Sequence, residues 1–454
     1  MLCVKIIQIV LQKPPFGGER DTMHVILKRM SPARIIALGF ALVILLGSGL
    51  LMLPCCLRDG VQLSYIDALY TSTSAVCVTG LIVIDPGDTF SPLGQAVMAL
   101  LIQIGGLGVA TIGAGIILAV GKRMDIKSRT IMKEAGNLSS GRGIVTFVRS
   151  IFLTTAVIEL LGAALSFPVF VRDYPLGKAI GISLFHSIAA FNNSGFDIFG
   201  GMQSLTAYRD NVLLNLVTCA LIFFGGIGFL VIRELWTKKC RWKKLSMHAK
   251  VVLSVSLCLI AGGTVIFKLT ENISWLGALF QSVTARTAGF ATYPLGSFSN
   301  AGLLAMMILM FIGASSGSTG GGIKTSTFFA LLQGIKSAAT NKSEKAFRYA
   351  LPKDAFKKAA IIALLSVGVI AAATFLFMAF EPTVPFSDAL FEMVSAFGTV
   401  GLTTGITPTI GTAAKLLSMV IMYIGRLGPL TVATLWYFSR GERVRFPEGN
   451  LSIG

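Results

Sequence analysis

Apolar runs of roughly 20 residues, the length that crosses a membrane as a helix, recur along the whole chain. Ile35–Leu53, Gln95–Val120, Val212–Ile232, Val251–Phe267, Ala301–Ile323 and Ala359–Phe380 contain no charged residue. Ile144–Val171 contains only Arg149, Glu159 and no other charge, and Leu416–Phe438 only Arg426. Eight spans are therefore predicted. Between the members of each pair lies a shorter apolar segment with a shared pattern. Each carries Leu followed by an aromatic residue: Leu69-Tyr70, Leu184-Phe185, Leu279-Phe280 and Leu390-Phe391. An alanine follows (Ala75, Ala190, Ala285, Ala396), and each segment closes on glycine: Gly80, Gly195, Gly289 and Gly401. The third copy is one residue shorter. These segments are too short to cross as helices and run into backbone rich in Gly and Thr. Non-helical backbone at membrane depth is tolerated only where it is buried in protein or lines water. The segments are therefore read as re-entrant, four walls of one pore.

The fold expected is an all-α polytopic membrane protein. It has four helix–pore loop–helix repeats with pseudo-four-fold symmetry around one pore. The repeats run over residues 31–123, 143–237, 246–337 and 353–440, with basic loops between them. Residues 1–30 form a polar, basic cytoplasmic segment in which Met23 is an alternative start. Residues 441–454 form a cytoplasmic tail. Each pore helix would point its partially negative C-terminal end inward, which favours a cation.

Composition supports this class: 54% of residues are hydrophobic and 13% charged, about half the charged fraction of a soluble domain. The net charge of +18 raises the question of nucleic acid. Its placement answers it. Seven Lys or Arg lie in each of the stretches Lys122–Arg149, Arg233–Lys250 and Lys336–Lys358, and Arg440, Arg443 and Arg445 follow the last span. The opposite loops hold only Arg58, Arg172, Lys178, Arg209, Lys268 and Lys415. This is the positive-inside pattern. It puts both termini in the cytoplasm and the glycine segments toward the outside. No basic patch interleaved with aromatics argues for nucleic acid. The seven cysteines form no CxxC or Cys/His cluster, so neither a metal site nor a disulfide framework is expected.

A cation leaves water only where oxygens replace its hydration shell, and rings of backbone carbonyls do this in channels. Glycine permits the positive φ that such turns need. The candidate filter segments are Val78, Thr79 and Gly80; Asn193, Ser194 and Gly195; Thr287, Ala288 and Gly289; Thr399, Val400 and Gly401. The second span of each repeat carries a further small-residue element. Gly105, Gly106 and Gly108 are matched by Gly225, Gly226 and Gly228, and by Gly425, Arg426 and Gly428. In the first two, close helix packing and a functional turn are both open. The third repeat reads Gly313, Ala314, Ser315, Ser316, Gly317, Ser318, Thr319, Gly320, Gly321, Gly322. Helix loses about 1 kcal/mol per Gly, so this stretch is read as a break in the span, a loop inside the pore. Arg426 stands where its sister repeats have Gly106 and Gly226. Either it pairs with a carbonyl for structure, or it opposes the glycine-rich loop as an electrostatic barrier to cations. Lys324 follows the loop and either does the same or snorkels to the cytoplasm. Glu159 needs a basic or polar partner. Asp85, Asp88 and Asp197 follow filter segments and read as a solvated outer rim. His186 reads as a packed, hydrogen-bonded histidine. No Ser/His/Asp set or phosphate-cradling loop is present, and Glu159 alone is no titratable cluster, so an enzyme is not expected.

The residues around Gly80, Asn193–Phe196, Arg286–Phe290 and Gly398–Leu402 resemble the Trk/Ktr/HKT superfamily of potassium transporters. Gly313–Gly322 resembles the family's intramembrane gating loop and Arg426 its pore-facing arginine. The resemblance covers the chain from about Ser31 to its end. Eight spans favour the bacterial Ktr-type membrane subunit, and the tail Phe446–Gly454 is similar to tails that lie at a homodimer contact. The resemblance implies potassium uptake across the bacterial plasma membrane, channel-like and driven by the membrane potential. It also implies a homodimer in the lipid bilayer, regulated by a KtrA-like nucleotide-binding cytoplasmic ring. No cofactor is expected in this chain; the nucleotide belongs to the partner and potassium is the substrate. A sodium- or proton-coupled symporter is the alternative.

Overall fold

The computed structural model describes residues 30–121, 124–136 and 143–435. The N-terminal segment with Met23, the tail with its basic residues and the end of the fourth repeat lie outside the described residues. The described chain is helical, and its one sheet is a two-residue antiparallel pairing of Lys345–Ala346 with Tyr349–Ala350.

Four helices are long and apolar enough to span a membrane: α1 (Pro32–Leu51), α6 (Ile144–Phe170), α10 (Met247–Thr270) and α14 (Ala355–Phe380). Each is the first helix of a predicted repeat. Each is followed by a shorter helix: α2 (Tyr65–Cys77), α7 (Leu176–Phe191), α11 (Trp275–Thr284) and α15 (Phe386–Gly398). The short helices start from strong signals. Ser64 and Ser274 cap α2 and α11, their hydroxyls accepting from Asp67 N and Gly277 N, which satisfies N–H groups that a helix leaves unpaired. Pro175 and Pro385 precede α7 and α15.

The second span of each repeat is broken. α3 (Pro92–Leu107) and α4 (Val109–Ala119) meet at 100°, as do α8 (Val212–Ile227) and α9 (Phe229–Thr237). α12 (Asn300–Phe311) and α13 (Thr325–Thr340) are separated by the glycine-rich loop, and α16 (Thr412–Leu427) and α17 (Pro429–Thr434) by Gly428. A break was expected only in the third repeat. The sequence read the others as continuous because their length and apolarity allow it. The difference comes from Gly108, Gly228 and Gly428, held at φ of 85, 89 and 88°, where a helix cannot continue. α5 (Ile126–Ala135) lies in the loop between the first two repeats.

The short helices sit at the centre of the packing. Each packs on the long first helix of its own repeat, and each also packs on the second helix of the repeat before it. Thus α7 lies on α3, α11 on α8 and α15 on α12, and α2 lies on α16, which closes the cycle. The contacts to the first helix share one device. Ser72 Oγ donates to Ile44 O at 2.7 Å, Ser187 Oγ to Glu159 O at 2.6 Å and Ser282 Oγ to Ile260 O at 2.8 Å. Three residues after each acceptor stands a glycine, Gly47, Gly162 or Gly263, whose missing side chain makes room for that serine. The fourth repeat carries Met393 and Ala373 at these places, both buried. Lys415 Nζ meets Asp67 Oδ1 at 2.7 Å and joins the fourth repeat to the first.

Candidate functional site

The C-terminal ends of α2, α7, α11 and α15 run into the four glycine segments, which are buried throughout. All four take the same backbone path. Val78, Asn193, Thr287 and Thr399 have φ of 57, 58, 73 and 48°. Two residues later Gly80, Gly195, Gly289 and Gly401 have φ of 88, 68, 84 and 89°. Left-handed backbone is unfavourable for β-branched residues such as Val78, Thr287 and Thr399, by about 1–2 kcal/mol each. Strain of this kind persists where the surroundings over-determine it. Here hydrogen bonds do so: Thr79 N donates to Ser74 O at 2.8 Å, Ser194 N to Ala189 O at 2.9 Å and Val400 N to Ser395 O at 2.9 Å. The Ser74 and Ser395 hydroxyls accept from Gly80 N and Gly401 N at 3.0 and 3.1 Å. In the shorter third copy, Thr284 Oγ1 donates to Phe290 O at 2.7 Å instead. The missing residue is absorbed by α11 ending earlier, at Thr284.

The four glycines meet. A Cβ at Gly80 would overlap the Ser194 carbonyl oxygen, and one at Gly195 would lie 2.8 Å from that of Ala288. A Cβ at Gly289 would overlap that of Val400, and one at Gly401 that of Thr79. The order one to two to three to four to one closes a ring of glycine backbone with carbonyl oxygens of neighbouring segments against it. The four glycines and the carbonyls of Thr79, Ser194, Ala288 and Val400 make these contacts, and Val78, Asn193, Thr287 and Thr399 open the same segments.

Directly beneath lies the glycine-rich loop. A Cβ on Gly320 would overlap Thr287 Oγ1, and one on Gly321 would overlap Thr399 Oγ1, so the loop touches the inner residues of two segments. Its ends pair as a bridge between Ile312 and Ile323. Its interior serves the broken second span of the second repeat. Ser315 N donates to Gly226 O at 2.9 Å, Thr319 N to Gly225 O at 3.3 Å, and Gly317 O accepts from Phe229 N at 3.1 Å. A helix break leaves backbone groups without partners, and at membrane depth they must be satisfied inside the protein. The loop supplies those partners. Lys324 Nζ donates to Gly320 O at 2.7 Å and to Gly321 O at 3.3 Å, so it turns back into the loop rather than out to solvent.

Arg426 completes the layer. Its guanidinium donates to Thr319 O in the loop, to Gly105 O, and to Gly106 O at 3.2 Å. Gly105 and Gly106 are the last turn of α3, where carbonyls lack helical partners and a cation is favoured. Arg426 is thus a cap on the broken helix of the first repeat and a tie to the loop of the third. The first glycine of each motif has a separate reason. A Cβ at Gly105, Gly225 or Gly425 would overlap the carbonyl of Val76, Phe191 or Phe397, two residues before a glycine segment. The first glycine of each motif thus allows close packing, and the last one turns the chain.

Glu159 finds its partners in Asn192 Nδ2 at 3.0 Å and Gln103 Nε2 at 3.4 Å, and Asn192 Nδ2 also donates to Gln103 Oε1 at 2.8 Å. This triad joins α6, α3 and the residue before Asn193. His186 Nε2 lies 2.8 Å from Thr218 Oγ1, whose own proton goes to Leu214 O, and its ring packs on Phe170 and Phe290. It is a core histidine. Asp85 and Asp197 are buried rather than part of a solvated rim. Asp85 Oδ1 accepts from Gly87 N and Asp88 N, and Asp88 Oδ2 from Gly201 N at 2.8 Å, so these carboxylates brace the loops that follow the glycine segments. One residue the sequence reading gave no role is Arg286, next to Thr287 and buried. Its Nη2 donates to Gly313 O, the first residue of the loop, at 3.4 Å. A charge inside an apolar re-entrant segment was the signal available for it.

Residues 27–271 and 246–439 match the TrkH family of cation transport proteins. The chain is 38% identical over 439 residues to the Ktr system potassium uptake protein B of Bacillus subtilis, covering 94% of this chain and 97% of that one. It is 37% identical to the potassium/sodium uptake protein NtpJ of Enterococcus hirae, covering 94% and 98%. The crystal structure of the potassium transporter TrkH from Vibrio parahaemolyticus superposes with a TM-score of 0.71 at 19% identity, over 90% of this chain and 86% of that one, which speaks to the fold. The ring of four re-entrant glycine segments over a broken third span thus belongs to a transporter, not an enzyme: this chain is a member of the TrkH family of cation transport proteins.

Proposed function

We propose that this chain is a potassium uptake pore. The observation that carries the reading is the closed ring of Gly80, Gly195, Gly289 and Gly401 with the carbonyls of Thr79, Ser194, Ala288 and Val400 against it. Such carbonyls replace the hydration shell of a cation, and four pore-helix C-termini add partial negative charge. The four repeats are then pseudo-four-fold around one axis. Potassium enters from the outer side, loses water at the ring and passes the layer of Gly313–Gly322, Lys324 and Arg426. That layer is the gate: the loop blocks the exit below Thr287 and Thr399 while Arg426 ties it to α3. The membrane potential supplies about 2.3 kcal/mol per charge per 100 mV. Relatives named as parts of a Ktr system, and those named for potassium, support this substrate and a regulatory partner. The same reading assigns a homodimer, a KtrA-like nucleotide-binding ring on the basic cytoplasmic face, and the plasma membrane with both termini inside.

The test is rubidium uptake by a potassium-auxotrophic bacterium expressing this chain with a KtrA-type partner. Uptake that rescues growth at low potassium is expected. A side chain at Gly80 would overlap the Ser194 carbonyl, so Gly80→Ser is expected to lower potassium preference over sodium about tenfold or more. An unaltered ratio in a folded variant removes the filter assignment. A coupled symporter is favoured by one observation, the relative named for potassium and sodium. Reversal potentials separate the two: a pore follows the potassium gradient alone, and a symporter shifts with sodium or protons.

A further inference from the structure

Arg286 is a buried cation with no anion. It is 8% exposed, and none of the ion pairs among the described residues includes it. Its two hydrogen bonds, Nη1 to Ser256 O and Nη2 to Gly313 O, are both 3.4 Å, long against the usual 2.9 Å or so. Its Nε has no partner at all, and neither has the hydroxyl of Ser256, which is 1% exposed. Both residues line one small cavity of about 20 Å³, between α8, α10, α11 and the start of the glycine-rich loop. The other walls are apolar or carry no side chain that donates or accepts: Ile260, Val283, Gly226 and Ala314 among them.

That volume holds one water-sized species. A water would accept from Nε and from Ser256 Oγ, and no side chain of the cavity other than Ser256 would accept its own protons. A monovalent anion needs donors only and supplies the missing charge. We propose that Arg286 and Ser256 form a binding site for one small halide, chloride under ordinary conditions, between the filter and the gate loop. A buried charge without a partner is strongly disfavoured, and a halide offsets it. Arg286 adjoins Thr287 in sequence and holds Gly313, so the bound anion also removes a fixed positive charge from beside the ion path. This effect on transport rests on the filter-and-gate reading; the binding site itself does not.

The experiment has two arms on the full chain. In crystals grown in sodium bromide, an anomalous difference map is expected to show one bromide within hydrogen-bond reach of Arg286 Nε and Ser256 Oγ. A map with no bromide there, or with a water that does not exchange for it, overturns the site. In proteoliposomes, rubidium uptake is expected to slow about fivefold when gluconate replaces chloride, as the uncompensated charge opposes the cation. Ser256→Ala, which removes one donor and leaves the arginine in place, is expected to raise the chloride concentration for half-maximal uptake about threefold. Equal rates in both anions, with bromide still bound in the crystal, overturn the effect on transport. A bromide peak without rubidium uptake in any anion overturns the pore reading and leaves the site standing.

Discussion

The glycine ring and the layer beneath it are a few ångströms apart and built on opposite principles. In the ring four segments repeat one backbone path, left-handed at the first and third residues, and each neighbour excludes the same atom, a glycine Cβ. In the layer below no two repeats do the same thing. The third supplies a loop, the fourth an arginine, and the first and second supply broken helix ends that accept or donate to them. A site that must surround an ion gains from equivalence. On the proposed reading the layer opens and closes, which a single movable part allows, and its partners are then necessarily different. In the ring each strained segment is hydrogen-bonded back to its own short helix or to the residue just after its glycine. The layer is held by a small number of hydrogen bonds to carbonyls, which can exchange for water.

The largest expected effect breaks the ring. Gly401→Ala puts a Cβ onto the Thr79 carbonyl at a φ of 89°, a combined strain of about 3 kcal/mol. Uptake is expected to fall on the order of 100-fold; a folded variant with normal uptake denies the ring its role. Next comes the layer. Arg426→Ala, or deletion of Gly313–Gly322, is expected to raise rubidium flux through the chain without a regulatory partner about tenfold, within the usual range of coupling energies. Unchanged or lower flux in the folded variants removes the gate. Ser395→Ala deletes the hydroxyl that holds Gly401 N, leaving a buried donor unpaired at about 1–3 kcal/mol. Potassium selectivity is expected to fall severalfold while the loop's effect on flux persists. If selectivity and gating change together, ring and layer are not separable. The smallest effect is outside both. Lys415→Met removes the ion pair with Asp67 that closes the fourth repeat on the first; such pairs contribute up to about 1 kcal/mol. Melting is expected to drop by a few degrees, less in high salt, with selectivity intact.

The ring was legible in the chain because its determinants are local. A short apolar helix, a turn and a glycine are each set within a dozen residues, and fourfold repetition made the match visible. The glycine-rich loop was legible for the same reason: no helix runs through Gly320, Gly321 and Gly322. The solvated rim expected for Asp85 and Asp197 failed because burial there is decided by neighbouring loops, which contribute the N–H groups that Asp85 and Asp88 accept.

The sequence by itself determined which residues turn and which span, since backbone freedom and hydrophobic length are properties of a segment alone. Only the tertiary structure decided how the turns are used. Arg426 reads in sequence as a lone charge with two possible roles; in the fold it caps α3 and tethers the loop at once. Gly108 and Gly228 read in sequence as either packing or turn residues, inside spans taken as continuous. They became bends because the carbonyls freed at each break found a donor in another repeat, and a helix inside a membrane stays broken only where such a partner arrives.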